Sequence, residues 1–560
     1  MSRGHTGVAR AAGVARAAGV ALATVTLLAA GALQACSGHR SAYVPPAQAS
    51  LPAPERTVIV DRDDVVITES CTLQFSGAVA DLNGNGVVQI TAPNVVVDLG
   101  GAALVGCGQL TPQHERKGIG IRVTAPGVTV QRGGVHGFHD GIVAVGASGA
   151  TFQDLDLSDN YAQLLKSSPQ KESNDDWLWP HNNDDNQWLK QYGAALWVED
   201  CDGVTVRRVK VWRGQNGVVL DQVLKSQVYD CDCSFLSGWG VALWRSSGNV
   251  LSRNALDFCV RGYSHGVYNR GQDSAGILCF EQSCDNIIAY NSATHCGDGF
   301  FGFAGKEALG ENPPPAAVAQ TLGTPEARVA FYKGRGCNRN ILFGNDFSDA
   351  VAHGIEMTFS FDNAFVNNIM MRCAICGVWG GYSQRTLVRG NTFAECGAGI
   401  RSGERGAINV EHGQENVYLS NRFRSDQVGV ALWWDEDAGI AKTPWAEANG
   451  VLSTRNTISG NDFNGLPVCV ELRATTQTAV FDNDFKSCQS RVTADAASKP
   501  SVQDGPLTPA PRESFDIRVI REKVKNVPGT TTPVGARREM AGRNRIIMGQ
   551  YGPAVLVPTK

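Results

Sequence analysis

The chain lacks an excess of charge of either sign. Its 560 residues carry 50 Lys and Arg against 54 Asp and Glu, a formal net charge of −4. Nucleic-acid binding calls for a basic excess, so no nucleic acid is expected as a partner. Beyond the N-terminus, no stretch reaches the roughly 18 apolar residues of a membrane helix. A helical 3.6-residue pattern is missing over most of the chain, and so is the leucine consensus of leucine-rich repeats. Glycine, by contrast, is plentiful: 63 residues, about 11% against a background near 7%. So frequent a turn former points to many short strands. A hydrophobic content of 43% supplies a large core and excludes a mostly disordered chain.

Residues 1–35 read as a lipoprotein signal peptide. Arg3, Arg10 and Arg16 form a basic start, and an apolar run from Gly19 to Leu33 follows. The run ends in Leu33-Gln34-Ala35-Cys36, which looks like a bacterial lipobox with Cys36 as the lipidated residue. An ordinary secretory signal is the other reading. Either one makes the mature chain extracytoplasmic; a lipid on Cys36 would anchor it in the bacterial cell envelope, periplasmic or at the cell surface. Residues 36–56, rich in Ser, Ala and Pro, read as a tether. Residues 491–560 read as a C-terminal extension of loose polar connectors, with one last strand expected at Arg545-Ile546-Ile547-Met548.

Between these ends the chain repeats. Asn345, Asn368 and Asn391 sit in one context at intervals of 23 residues. The series continues at Asn421, Asn461 and Asn483, and runs back through Asn291 and Asn254 to Cys231 in the equivalent place. About 14 residues before each Asn stands a small residue that opens an alternating strand, as in Gly240-Val241-Ala242-Leu243-Trp244 and Gly354-Ile355-Glu356-Met357-Thr358. A period near 23 with two-residue alternation describes the coils of a solenoid. The recurring Asn is expected to form an inward ladder of side-chain amides. The fold class is therefore all-β: a right-handed parallel β-helix of roughly twelve coils over residues 57–490, with inserted loops. On these repeats the chain resembles the pectate-lyase-like superfamily of right-handed parallel β-helix proteins. That superfamily includes polysaccharide lyases, polygalacturonase-type hydrolases, uronate epimerases and accessory proteins without known catalysis, so the activity must be argued from the site.

Cys259, Cys296, Cys373, Cys396 and Cys488 each fall five residues after a ladder position. Pairs on neighbouring coils are expected either to stack as buried thiols or to form disulfides. Cys373-x-x-Cys376 has no second pair at a zinc-like spacing, and no metal site is expected there.

Counting each strand-opening Gly as position 1, position 2 should point inward, so positions 3 and 5 should point outward. The third position reads Val219, Ala242, Leu278, Phe301, Glu356, Trp379, Asn409, Ala431, and the fifth reads Asp221, Trp244, Phe280, Phe303, Thr358, Gly381, Glu411, Trp433. Trp197 is expected in the second column. Outward Trp rings suit stacking on sugar faces, with polar groups beside them for hydroxyls. Trp244, Trp379, Trp433, Asp221 and His412 are accordingly the candidate substrate contacts. The alternative is that inserted loops cover these rings and make a second small core. Glu356 and Glu411, two coils apart, form a candidate general acid and base.

A second constellation precedes the strands: Asp273, Asp298 before Gly299, and His353 before Gly354. Gln272-Asp273-Ser274, Gly297-Asp298-Gly299 and Ala352-His353-Gly354-Ile355 resemble the active-site layout of polygalacturonases, without that family's paired Asp or its Arg-Ile-Lys. Asp298 and His353 join Glu356 and Glu411 as candidate catalytic residues. Insert 261–274 adds Arg261, Tyr263, His265, Tyr268 and Arg270, which would suit a uronate lyase or epimerase through carboxylate binding by Arg270. Insert 166–192 holds Trp177, Trp179, Trp188 and His181 among Asp175, Asp176, Asp184 and Asp185, and offers Ca²⁺ as the one candidate cofactor. The expected function is binding and hydrolysis of a polysaccharide. The alternatives are a uronate lyase or epimerase, and a non-catalytic scaffold or adhesin. The lipobox has a direct test: Cys36→Ser is expected to release the protein from the membrane fraction, and unchanged partitioning would remove the lipid anchor.

Overall fold

Alternating Val, Ile and Leu positions lay down short strands that pair in parallel from coil to coil. In this computed structural model, which describes residues 51–556 apart from 169, 263–269, 315, 400–404, 499–511 and 531, one sheet contains 15 parallel strands, from Val65–Ile67 to Ser490–Ala494. A second sheet has 17 strands and a third has five. One coil runs from His353–Thr358 to Ala364–Val366, then Ile369–Met371, and back to Cys376–Trp379 beside its start. The protein is a right-handed parallel β-helix. Its 15 rungs exceed the twelve expected, because the early coils carry no Asn marker by which to count them. Cys36 and the signal segment lie outside the described residues.

Inside, Val, Ile, Leu and Phe stack coil on coil in one continuous core, with Phe393, Phe423 and Phe463 at centroid spacings of 5.1 and 4.5 Å. Cys259 and Cys296 face each other there, as do Cys373 and Cys396, as free thiols. Stacking rather than oxidation is thus their arrangement, and the one disulfide among the described residues joins Cys469 to Cys488.

The Asn ladder forms at an inward corner. The residue before each Asn has a left-handed backbone, for example Asn367 at φ 55° and Gly390 at φ 67°. That turn directs the Asn side chain into the helix. The Asn368 Oδ1 accepts from the backbone N–H and Nδ2 of Asn345 at 2.9 Å each. Its Nδ2 donates to the Leu342 carbonyl and to Asn391 Oδ1 at 2.9 and 3.1 Å. The same bonds run from Asn254 through Asn483, and Cys231 donates its N–H to Asn254 in the expected place. A second ladder, not read from the sequence, lies five residues earlier: Asn249, Asn286, Asn340 and Asn363, then Thr386, Asn416 and Asn456. The recurring Asn at that offset was its available signal.

The C-terminal extension is a strap rather than loose connectors. Helix Ile517–Lys525 buries Ile520 and Val524 against Ala289, Ile341, Phe343 and Val366 of the second sheet. The chain then runs back along the coils. Arg253 donates to the Val527 and Pro528 carbonyls, Thr530 N–H donates to Asp230, and Arg537 clasps Asp232 and Asp257 at 2.9 and 2.7 Å. Met540 and Ile546 close over Phe235, Phe258 and Val351. The expected last strand is instead a tight antiparallel pair, Met548–Gly549 with Gly552–Pro553, beside which Tyr551 meets His114 at 2.8 Å.

Replacing Asn368 by Leu strands the Asn345 donors, the Leu342 carbonyl and the Asn391 acceptor in a dry interior. A loss of at least about 2 kcal/mol is expected, read as a lowered midpoint in chemical denaturation; an unchanged midpoint would deny the ladder its role.

Candidate functional site

A column of small residues decides where side chains can face outward. A Cβ on Gly299 would lie 2.6 Å from the Gly354 carbonyl oxygen, and one on Gly354 would lie 2.7 Å from that of Gly377. The Gly faces the core, and the next residue does so as well, so the residue just before it turns outward. Asp298 and His353 hold that place on adjacent coils, one rung apart. Three residues further along, in the outward column, come Phe301, Glu356 and Trp379, cross-strand partners in turn.

On the N-terminal half this outward face is covered. Insert 166–192 folds over it, burying Leu178, Trp188 and Tyr192 against Val143, Trp197, Val219, Ala242, Leu278 and Phe301. Trp244 is 1% exposed, with its ring 5.1 Å from that of Trp188. Trp244 is therefore part of a second core and offers no face to a ligand. Asp221 is buried too, and its carboxylate accepts from Asn183 of the insert at 2.7 Å. Trp197 pairs with Val219 and belongs to the first column, and Glu199 holds the place expected for it. Removing insert and rings from water together is the larger gain, since each buried aromatic brings a large apolar area with it.

The carboxylates of this insert do not converge on a cation. Asp176 accepts the N–H groups of Lys166 and Ser167, Asp175 pairs with Lys166, and Asp184 pairs with Arg245. Arg245 also reaches Glu307 of insert 304–335 at 3.5 Å, so it joins the two inserts. The expectation of Ca²⁺ at this insert is set aside.

Where the cover ends, polar groups gather. Asp298 is 2% and His353 0% exposed, and Glu356 is half-buried. Asp298 Oδ1 accepts the His353 N–H at 2.8 Å, and His353 Nε2 lies 3.5 Å from Glu356 Oε2. The Trp379 ring stacks on the imidazole, centroids 5.7 Å apart. One donor atom from each of Asp298, His353 and Glu356 lies within 4.8 Å of the other two. Burial, followed by the Glu356 carboxylate, holds Asp298 well above the usual carboxylate range, while the Arg270 guanidinium pulls the other way. Asp273 is pushed up to about 6 by burial, against the Trp177 indole and Arg270. Burial and the neighbouring acid thus favour the protonated form of Asp298, beside a histidine.

Glu411 stands outside this cluster, in the other column and two coils on, over Gly381 and near Thr358. His412 is 2% exposed, stacked on Tyr382 and held by the Val451 carbonyl at 2.5 Å, so it is structural. Trp433 is half-buried on the outward face; its Nε1 donates to Asn409 and Arg473 lies over its ring. Tyr263, His265 and Tyr268 lie outside the described residues. The sequence marked Asp298, His353 and Glu356 singly; Asp298 and His353 are 55 residues apart, and only the coil register brings them together. Asp273 was visible through the polygalacturonase-like pattern and Arg270 through insert 261–274; their closeness to Asp298 was not.

A family model described as periplasmic copper-binding protein (NosD) matches residues 334–503, less than half of the chain. No curated protein matches. Among solved structures, the chain is similar to the A-module of the mannuronan C-5 epimerase AlgE4 of Azotobacter vinelandii: 12% identity, 80% of this chain and 88% of that one, TM-score 0.33. It is similar also to the periplasmic alginate epimerase AlgG, with 10% identity, 77% and 78% coverage and a TM-score of 0.29. For PfbA, a surface adhesin of Streptococcus pneumoniae, the figures are 11%, 78%, 84% and 0.34. At these identities and TM-scores the likenesses carry no functional argument, and the fold stands on its own strand pairing.

The buried insert contacts titrate. Asp221 and Glu281 are each raised to about 7, in both cases chiefly by burial. From about pH 4 to 7 the folded chain keeps protons that the unfolded chain releases, so stability falls as pH rises through that window, by up to about 1.4 kcal/mol per unit for each group. The melting temperature is expected to be higher at pH 5 than at pH 8, and Asp221→Asn should shrink the difference; a difference unaltered in that variant would count against the assignment.

Proposed function

We propose that the chain binds a polysaccharide along the C-terminal half of its outward face and hydrolyses a glycosidic bond at Asp298, His353 and Glu356. The observation that supports this is the pairing of two carboxyl groups in unlike surroundings. Asp298, buried and held well above the usual carboxylate range, suits a general acid that protonates the leaving oxygen. Glu356, less buried, suits a base or nucleophile. Donor atoms of the two within 4.8 Å match the short carboxyl separation of retaining glycosidases, about 5 Å. His353 is fixed beside both by its N–H and by Trp379. Glu411 and Trp433 with Arg473 continue the face toward the later coils as sugar contacts. Envelope location through a lipid on Cys36 fits a substrate outside the cytoplasm.

A uronate lyase or epimerase is the second reading. The proximity of Arg270 to Asp273 and Asp298 favours it, because a guanidinium there would bind a sugar carboxylate while His353 takes the proton beside it.

Reducing-end and unsaturated-product assays over a panel of neutral and acidic polysaccharides separate the readings. New reducing ends without unsaturated product indicate hydrolysis, and unsaturated product indicates elimination. Glycan bound but left unchanged indicates a scaffold. On a confirmed substrate, Glu356→Gln and Asp298→Asn are each expected to lower kcat by on the order of 10²-fold, and Glu411→Gln mainly to raise KM. Native kcat in both of the first two variants would overturn the assignment.

A further inference from the structure

The cluster has a second chemical capacity, independent of any glycan. His353 Nε2 and Glu356 Oε2 are 3.5 Å apart. Two donors that each sit about 2.1 Å from a tetrahedral ion are separated by about 3.4 Å. Asp298 completes a set whose donor atoms all fall within 4.8 Å of one another. We propose that Asp298, His353 and Glu356 bind one divalent first-row transition metal ion, with Zn²⁺ the best fit.

Ligand chemistry narrows the ion. One imidazole and two carboxylates are too few and too mixed for Ca²⁺, which takes six to eight oxygens. They contain no thiolate or thioether, the donors that select Cu⁺. Three protein ligands leave a tetrahedral ion one open position, as in catalytic rather than structural zinc sites.

The supports are already built. The His353 N–H donates to Asp298 Oδ1 and orients that carboxylate, and Trp379 stacks on the imidazole and sets its plane. All three ligands stand on neighbouring rungs of a hydrogen-bonded ladder, a rigid base rather than a loop.

The test uses the extracytoplasmic chain without a polyhistidine tag, stripped with a chelator and titrated calorimetrically with ZnCl₂, and in parallel with CaCl₂, in the absence of glycan. About one equivalent of Zn²⁺ is expected, with a raised melting temperature and no comparable Ca²⁺ binding. Glu356→Gln and His353→Gln should each weaken Zn²⁺ binding by on the order of tenfold or more while keeping the native melting temperature in chelator. No Zn²⁺ binding by the wild type overturns the proposal, as does equal binding by wild type and both variants. Its fate is separable from that of the acid–base reading. One bound Zn²⁺ in a chain whose Glu356→Gln variant keeps native kcat supports the metal site alone. Loss of kcat in that variant with no Zn²⁺ bound supports the acid–base pair alone.

Discussion

Every part of this protein depends on the hydrogen bonding of each coil to the next. A parallel strand pair satisfies backbone groups only laterally, so a single coil has no stability of its own and a stack of them has a great deal. The corners are where such a stack would fail, since the backbone there turns left-handed and its amides leave the ladder. The two Asn columns repair this. Each amide side chain takes the place of a missing strand partner for the coil before it, and the bonds repeat from Asn254 to Asn483 without a gap. The strap adds a second restraint across the same coils, with Arg537 held between carboxylates of two of them.

That rigidity makes a site out of distant residues. Asp298 and His353 are separated by an insert of two short helices and more, yet they sit one rung apart because the insert leaves the coil and returns to it. Small residues at the strand openings turn the preceding side chains outward into the same row. The chemistry of the cluster follows from where cover stops. Insert 166–192 keeps the rungs from Val143 to Phe301 dry and apolar, and the next residue of that column, Glu356, is polar and appears at its edge. A carboxyl group under that edge loses its water, which raises its pKa; one at the rim does not lose all of it.

The same burial changes the meaning of the aromatic stripe. Trp197, Trp239 and Trp244 look outward along their strands, as for a sugar platform, but they meet Trp188 of the insert instead of solvent. Beyond Glu356, Trp433 retains an accessible edge among polar neighbours. The face suited to a ligand is therefore much shorter than the β-helix itself.

The amino-acid sequence by itself determined the β-helix, because its signals are local and repeated. The 23-residue period, the strand alternation and the Asn corners each recur often enough to be read without a structure. It also marked Asp298, His353 and Glu356 individually, through their places beside the strand-opening glycines. Only the tertiary structure decided which of the outward residues meet, because inserts are irregular and their docking depends on packing rather than on period. Trp244 and Asp221 differ from Trp433 by a covering loop, not by any feature of their own strands. Glu411 was separated from Glu356, and Asp298 joined to it, by the lateral register of coils whose inserts hide the count of residues between them.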